Sequence, residues 1–191
     1  MPRSQGAGAS SAVGLVRAAA LAVVAAVLLA ACGPGDTTPP DVTPDPTTAT
    51  AIDGRFELRF TVDRTTLRPG DDITGTAELW LRAGGSGLVS GPGEMFGFEF
   101  VEVGGQHRAV LPVFDASCQP HQVGSDTPLT SPLRKSGAAD SDFAREFHQG
   151  REIHLPPGQW DITAVVWFHE GRSCGGLKHQ PRATVRVVVN G

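Results

Sequence analysis

Residues 56–62 read Phe-Glu-Leu-Arg-Phe-Thr-Val, a strict alternation of apolar and polar side chains. A period of two places Phe56, Leu58, Phe60 and Val62 on one face of an extended strand and Glu57, Arg59 and Thr61 on the other. Such a strand is stable only when its apolar face is covered, so the pattern demands a sheet packed against a second layer. The pattern then recurs. Ile73, Gly75, Ala77, Leu79 and Leu81 alternate with Thr74, Thr76, Glu78 and Trp80, after a turn over residues 63–72 with Pro69-Gly70 at its tip. Residues 95–103 put Phe96, Phe98 and Phe100 on one side, residues 108–114 follow as a fourth strand, and Gly104-Gly105 between them reads as a hairpin turn.

Further along, residues 151–155 read as a short fifth strand and Pro156-Pro157-Gly158 as a turn. Trp160, Ile162, Ala164, Val166 and Phe168 then share a face, while Val165 and Trp167 make the other face partly apolar, which is the mark of a central strand. Residues 183–189 supply a closing strand with Val185, Val187 and Val189 in register. Residues 84–93 are glycine-rich without the lysine that a phosphate-cradling loop needs, and read as a flexible connection. Residues 116–141 lose all period and read as a long surface loop. Residues 140–149 allow a turn or two of helix, with Phe143 and Phe147 on one side and Gly150 past the end. With 24 glycines, 15 prolines and no tyrosine, the expectation is a loop-rich all-β fold in one domain over residues 54–191.

The first 31 residues hold Arg3 and Arg17 and no acid. The apolar run over residues 18–31 is shorter than the roughly 20 residues a membrane span requires, and it follows arginine as a secretory signal does. Leu29-Ala30-Ala31-Cys32 resembles the lipobox of bacterial lipoproteins. That resemblance implies cleavage before Cys32, lipidation of its sulfur, and anchorage on the extracytoplasmic face of the cell membrane by lipid, not protein. Residues 1–31 are then a signal peptide, and residues 32–53 are the lipidated cysteine followed by a spacer rich in proline and threonine. The spacer has almost nothing to bury and reads as extended and disordered. Beyond residue 31 the chain carries 14 basic and 20 acidic side chains, a balance of −6, with no basic stripe, which argues against a nucleic-acid partner.

With Cys32 taken by lipid, Cys118 and Cys174 remain as an even pair in an oxidising compartment, and a disulfide is expected. The alternative keeps both as thiolates. Cys118 with His121 and Cys174 with His179 have spacings compatible with a tetrahedral zinc site. Cys174 and His179 are also placed before the last strand as in cupredoxins, so the rival function is a metal-binding or electron-transfer protein. A copper site wants a further histidine and usually an axial methionine, and Met95 is the one methionine beyond the signal segment. Gly171-Arg172-Ser173-Cys174-Gly175 matches the G-x-S-x-G nucleophile elbow, but residues 176–181 give no helix to follow it. No catalytic residue and no cofactor is assigned. Glu94, Glu99, Glu102, Asp140 and Asp142 read as solvated carboxylates, and His107, His148, His154 and His169 as surface histidines.

Two segments carry a resemblance at the level of fold. Leu67-Arg68-Pro69-Gly70-Asp71-Asp72-Ile73 before an alternating strand, and Leu155-Pro156-Pro157-Gly158-Gln159-Trp160 running into an apolar one, resemble bacterial extracytoplasmic immunoglobulin-like domains. The resemblance implies an antiparallel β-sandwich of about seven strands. Trp160 then stands at the corner where tyrosine is usual, its indole N–H bonding back to the chain. The expected role is a noncatalytic binding module for a protein or a cell-envelope polymer, with the loops over residues 84–93 and 116–141 as its adaptable surface.

Overall fold

The computed structural model describes residues 46–191. The signal-peptide reading of residues 1–31, Cys32, and the spacer up to residue 45 lie outside the described residues. In chain order the strands are β1 (Thr47–Asp53), β2 (Phe56–Val62), β3 (Thr66–Leu67), β4 (Gly75–Leu81), β5 (Ser86–Gly91), β6 (Phe96–Glu102) and β7 (Ala109–Val110). After these come β8 (Gln119–Gly124), β9 (Leu129–Pro132), a short helix α1 (Asp142–Phe147), β10 (Gly158–Val166), β11 (Phe168–Glu170), β12 (Lys178–His179) and β13 (Arg182–Val189).

The fold is all-β. One sheet has the order β1-β2-β4-β9, a second β3-β13-β10-β6-β7, and a third β12-β11-β5-β8; none closes into a barrel. All pairings are antiparallel except β3 with β13. The alternation of β2 is realised in full: Phe56, Leu58, Phe60 and Val62 are completely buried. They join Ala77 and Leu79 of β4 in one core with Phe98 and Phe100 of β6, Trp160 and Ile162 of β10, and Val185 and Val187 of β13. Phe60 meets Phe98 across that core, ring centroids 5.9 Å apart. As the two-faced apolar pattern requires, β10 is central, paired with β13 on one side and β6 on the other. Ser141 caps α1 by accepting the Ala144 N–H at 3.0 Å. The helix thereby places Phe143 against Trp160, stacked at 5.4 Å.

Several elements differ from the sequence expectation. Residues 47–53, inside the stretch read as spacer, form a strand, because β1 pairs with β2 along its whole length. An edge strand needs little hydrophobicity: Ala49 and Ala51 cover the core, and threonine suits a pleated, half-exposed surface. The strands number more than seven because the glycine-rich connection forms β5 and the long loop forms β8 and β9. The fourth strand shrinks to β7, since Pro112 has no N–H to continue the ladder. Residues 151–155 are not a strand. Their one backbone partner is the Asp72-Ile73 corner, where Ile73 N–H donates to Ile153 O at 3.0 Å and Ile153 N–H to Asp72 Oδ1 at 2.7 Å.

Two of the carboxylates expected in solvent are buried, Glu99 beside Arg182 and Glu102 beside Arg108. Glu102 accepts from Arg108 Nη2 at 2.7 Å, from Arg108 Nε at 3.1 Å and from the Gln106 N–H at 3.0 Å. It thereby fastens the β6–β7 hairpin. Gly105 is obligatory there: it has a left-handed φ of 62°, and a Cβ would lie 2.5 Å from Glu102 Oε1. The Arg108 guanidinium in turn covers Trp160, 5.2 Å from its ring centroid. The indole N–H donates to Pro156 O at 2.9 Å, so the corner tryptophan bonds back to the chain.

Trp160→Phe removes that bond and part of the packing, and is expected to lower the unfolding free energy by about 1–3 kcal/mol in urea titrations of the oxidised protein. The hydrogen bonds from Arg108 hold the Glu102 carboxyl down from 4.5 to about 2. A depressed carboxyl contributes its stability above the unfolded value and loses it as pH falls through the folded one. The melting temperature is therefore expected to drop as pH is lowered from 4.5 toward 2, and Glu102→Gln to lack that part of the drop.

Candidate functional site

The third sheet is made entirely from connections between strands of the other two. The β4–β6 connection supplies β5, the β7–β9 connection supplies β8, and the β10–β13 connection supplies β11 and β12. β5 is the spine, pairing with β8 from Ser86↔Gly124 to Gly91↔Gln119 and with β11 at His169↔Ser90 and Glu170↔Val89. Val89, Val123 and Phe168 anchor the sheet in the common core. Glycine permits the β11–β12 hairpin to close, because a Cβ on Gly176 would lie 2.0 Å from Glu170 O.

Cys118 and Cys174 are joined as a disulfide, with Cα atoms 6.0 Å apart and a separation of 56 positions in sequence. The bridge ties the residue before β8 to the loop after β11, so the two strands that flank β5 are linked covalently as well as through their ladders to it. The bond also leaves neither sulfur as a thiolate donor for the four-residue metal set. The two histidines of that set point elsewhere: His121 Nε2 lies 3.3 Å from Pro92 O, and His179 faces Asp53 and Glu170. Among the described residues no group of three or more His, Cys, Asp and Glu is arranged to hold a metal ion. Ser173 of the G-x-S-x-G match sits in the β11–β12 loop, with strand on both sides in place of strand and helix.

An open cleft of about 790 Å³ lies on this sheet, lined by Arg55, Ser86, Leu88, Gln122, Glu170 and Arg172 among others. Its lining is mixed in charge and rich in backbone. Behind it, His179 is 3 % exposed. Its ring stacks on Phe168 at 5.1 Å and meets the edge of Phe56 at 5.2 Å. Nε2 is hydrogen-bonded to Glu170 Oε1 at 3.0 Å. Nδ1 is 3.0 Å from Asp53 Oδ1 yet off the line of a hydrogen bond. Arg55 completes the row, its guanidinium 3.4 Å from Glu170 Oε2. The row Asp53, His179, Glu170 and Arg55 thus runs from a buried ring to a carboxylate and a guanidinium on the cleft wall.

No sequence signal marks this row. Asp53 ends β1, Glu170 ends β11 and His179 ends β12, and tertiary pairing alone brings them together. No protein-family model, curated protein or solved structure matches the chain.

Replacing both Cys118 and Cys174 by serine is expected to cost about 2–4 kcal/mol in chemical denaturation. Amide exchange is expected to quicken most in β8, β11 and β12, beyond the change that the lower global stability brings to β2 and β10. Thiol titration of the unfolded, nonreduced wild type is expected to detect neither cysteine.

Proposed function

We propose that the chain is a lipid-anchored, extracytoplasmic binding module built on an immunoglobulin-like β-sandwich, and that the disulfide-locked third sheet presents its binding surface to a protein or a polar cell-envelope polymer. Three features of topology support the sandwich reading. The orders β2-β4-β9 and β13-β10-β6 match the A-B-E and G-F-C strands of such domains, with β1 as an added edge. The β3 segment crosses over to run parallel with the last strand, β13. The Trp160 bond to Pro156 O takes the place of the corner tyrosine's bond at the start of the penultimate sandwich strand.

The observation that carries the function is the convergence of three inter-strand connections at one end of the domain, where variable domains place their binding loops. Here those connections are ordered into a sheet and locked by a disulfide, which lowers the entropy lost on binding. The cleft's carboxylate, Glu170, is engaged by His179 and Arg55, which suits a surface that holds a partner and does no chemistry on it. The disulfide also fits a secreted chain, since such bonds persist outside the cytoplasm. Lipidation at Cys32 would keep the module at the membrane, with the residues before β1 as its tether.

Two measurements test this. Wild-type protein is expected to sediment with membranes, to need detergent for release, and to carry an acylated Cys32 as its first residue by mass spectrometry. An intact Met1 terminus without acyl chains would end the anchor reading. Retention on isolated envelope is expected to fall roughly tenfold on charge reversal, Arg172→Glu, at the cleft. Retention unchanged by that substitution would move the binding surface elsewhere.

A further inference from the structure

His179 faces a carboxylate on each ring nitrogen, at 3.0 Å from Nδ1 and 3.0 Å from Nε2. A neutral imidazole offers one N–H and one lone pair, whereas an imidazolium offers two N–H donors. Only the imidazolium serves both Asp53 and Glu170. In the neutral ring one carboxylate faces a lone pair at contact distance, beside a ring held between Phe56 and Phe168.

The neighbouring charges decide which arm gives way. On the Glu170 side, Nε2 makes a well-formed hydrogen bond and the Arg55 guanidinium lies 3.4 Å from the second carboxylate oxygen. On the Asp53 side, the second oxygen accepts the Gln180 N–H at 3.2 Å, but the contact to Nδ1 is not aligned. Lys178, beside His179 on β12, has its ammonium over the Trp167 ring, 5.6 Å from the centroid. The Asp53 arm is therefore the weaker one. It belongs to the tight β1–β2 turn, where Gly54, with a left-handed φ of 61°, borders the His179 ring.

We infer that Asp53, His179 and Glu170 form a proton-loaded clasp. The imidazolium fastens the β1–β2 turn to the β11–β12 hairpin; when the proton leaves Nδ1 for solvent, Nε2–H stays on Glu170, the Asp53 arm is released, and the Arg55 wall of the cleft moves with its turn. Only this last consequence rests on the cleft reading above. The clasp is a property of the unliganded chain.

The test follows the full-length chain, labelled with ¹⁵N in its histidine rings, by NMR and thermal unfolding from about pH 5 to pH 9. His179, assigned by the signals lost in His179→Gln, is expected to show both ring nitrogens protonated at the acid end and Nε2 alone at the alkaline end. Release of the Asp53 arm is expected to lower the melting temperature by about 3 °C between the acid and the alkaline end. Asp53→Asn, whose amide can donate to a neutral Nδ1, is expected to remove the fall. A His179 ring with one N–H throughout, or an Asp53→Asn variant that keeps the whole fall, would overturn the clasp. Envelope retention plays no part in these readouts, so they stand apart from the fate of the binding surface.

Discussion

Burial of the β2 face against the aromatic faces of β6 and β10 is the interaction on which the rest of this structure depends. Phe56, Phe60, Phe98, Phe100 and Trp160 are withdrawn from water together, each contributing on the order of 2 kcal/mol from the surface it hides. That burial joins the first two sheets in one core, and the connections between their strands supply the whole of the third sheet. The site is therefore built on strands that the core positions.

Polar groups inside this frame are satisfied by specific partners, and each partner fixes a connection. Glu102 and Arg108 close the β6–β7 hairpin, and the same arginine covers Trp160, whose indole holds Pro156 O at the entry to β10. A buried carboxylate without its arginine would be costly, so hairpin and corner are coupled through one guanidinium. Asp72 does a similar task at the opposite bend by accepting the Ile153 N–H. These contacts add modest net stability but large specificity, since few other arrangements satisfy the same groups.

At the third sheet the stabilising logic changes. β11 and β12 are short and carry few apolar anchors, so a covalent bridge and the row from Asp53 through His179 and Glu170 to Arg55 supplement area burial. That contrast separates the platform, β2 with β4, β6, β10 and β13, held by apolar burial, from the end that faces the cleft, held by a bridge and polar partners.

Much of the platform was legible from residue order alone. The period-two runs of β2, β4, β6, β10 and β13 name their own buried faces, Phe143 with Phe147 and Gly150 past the end announce α1, and the even pair Cys118 and Cys174 announces a bridge. These are local signals: alternation, helical spacing and cysteine parity need no knowledge of neighbours. The tertiary structure alone decided that threonine-rich residues 47–53 form an edge strand, that glycine-rich residues 86–91 form the spine of a sheet, and that His179 lies between Asp53 and Glu170. Those outcomes depend on which partner a strand edge finds across dozens of residues. Backbone hydrogen bonds formed with that partner hold segments whose own side chains are too polar or too small to specify a strand.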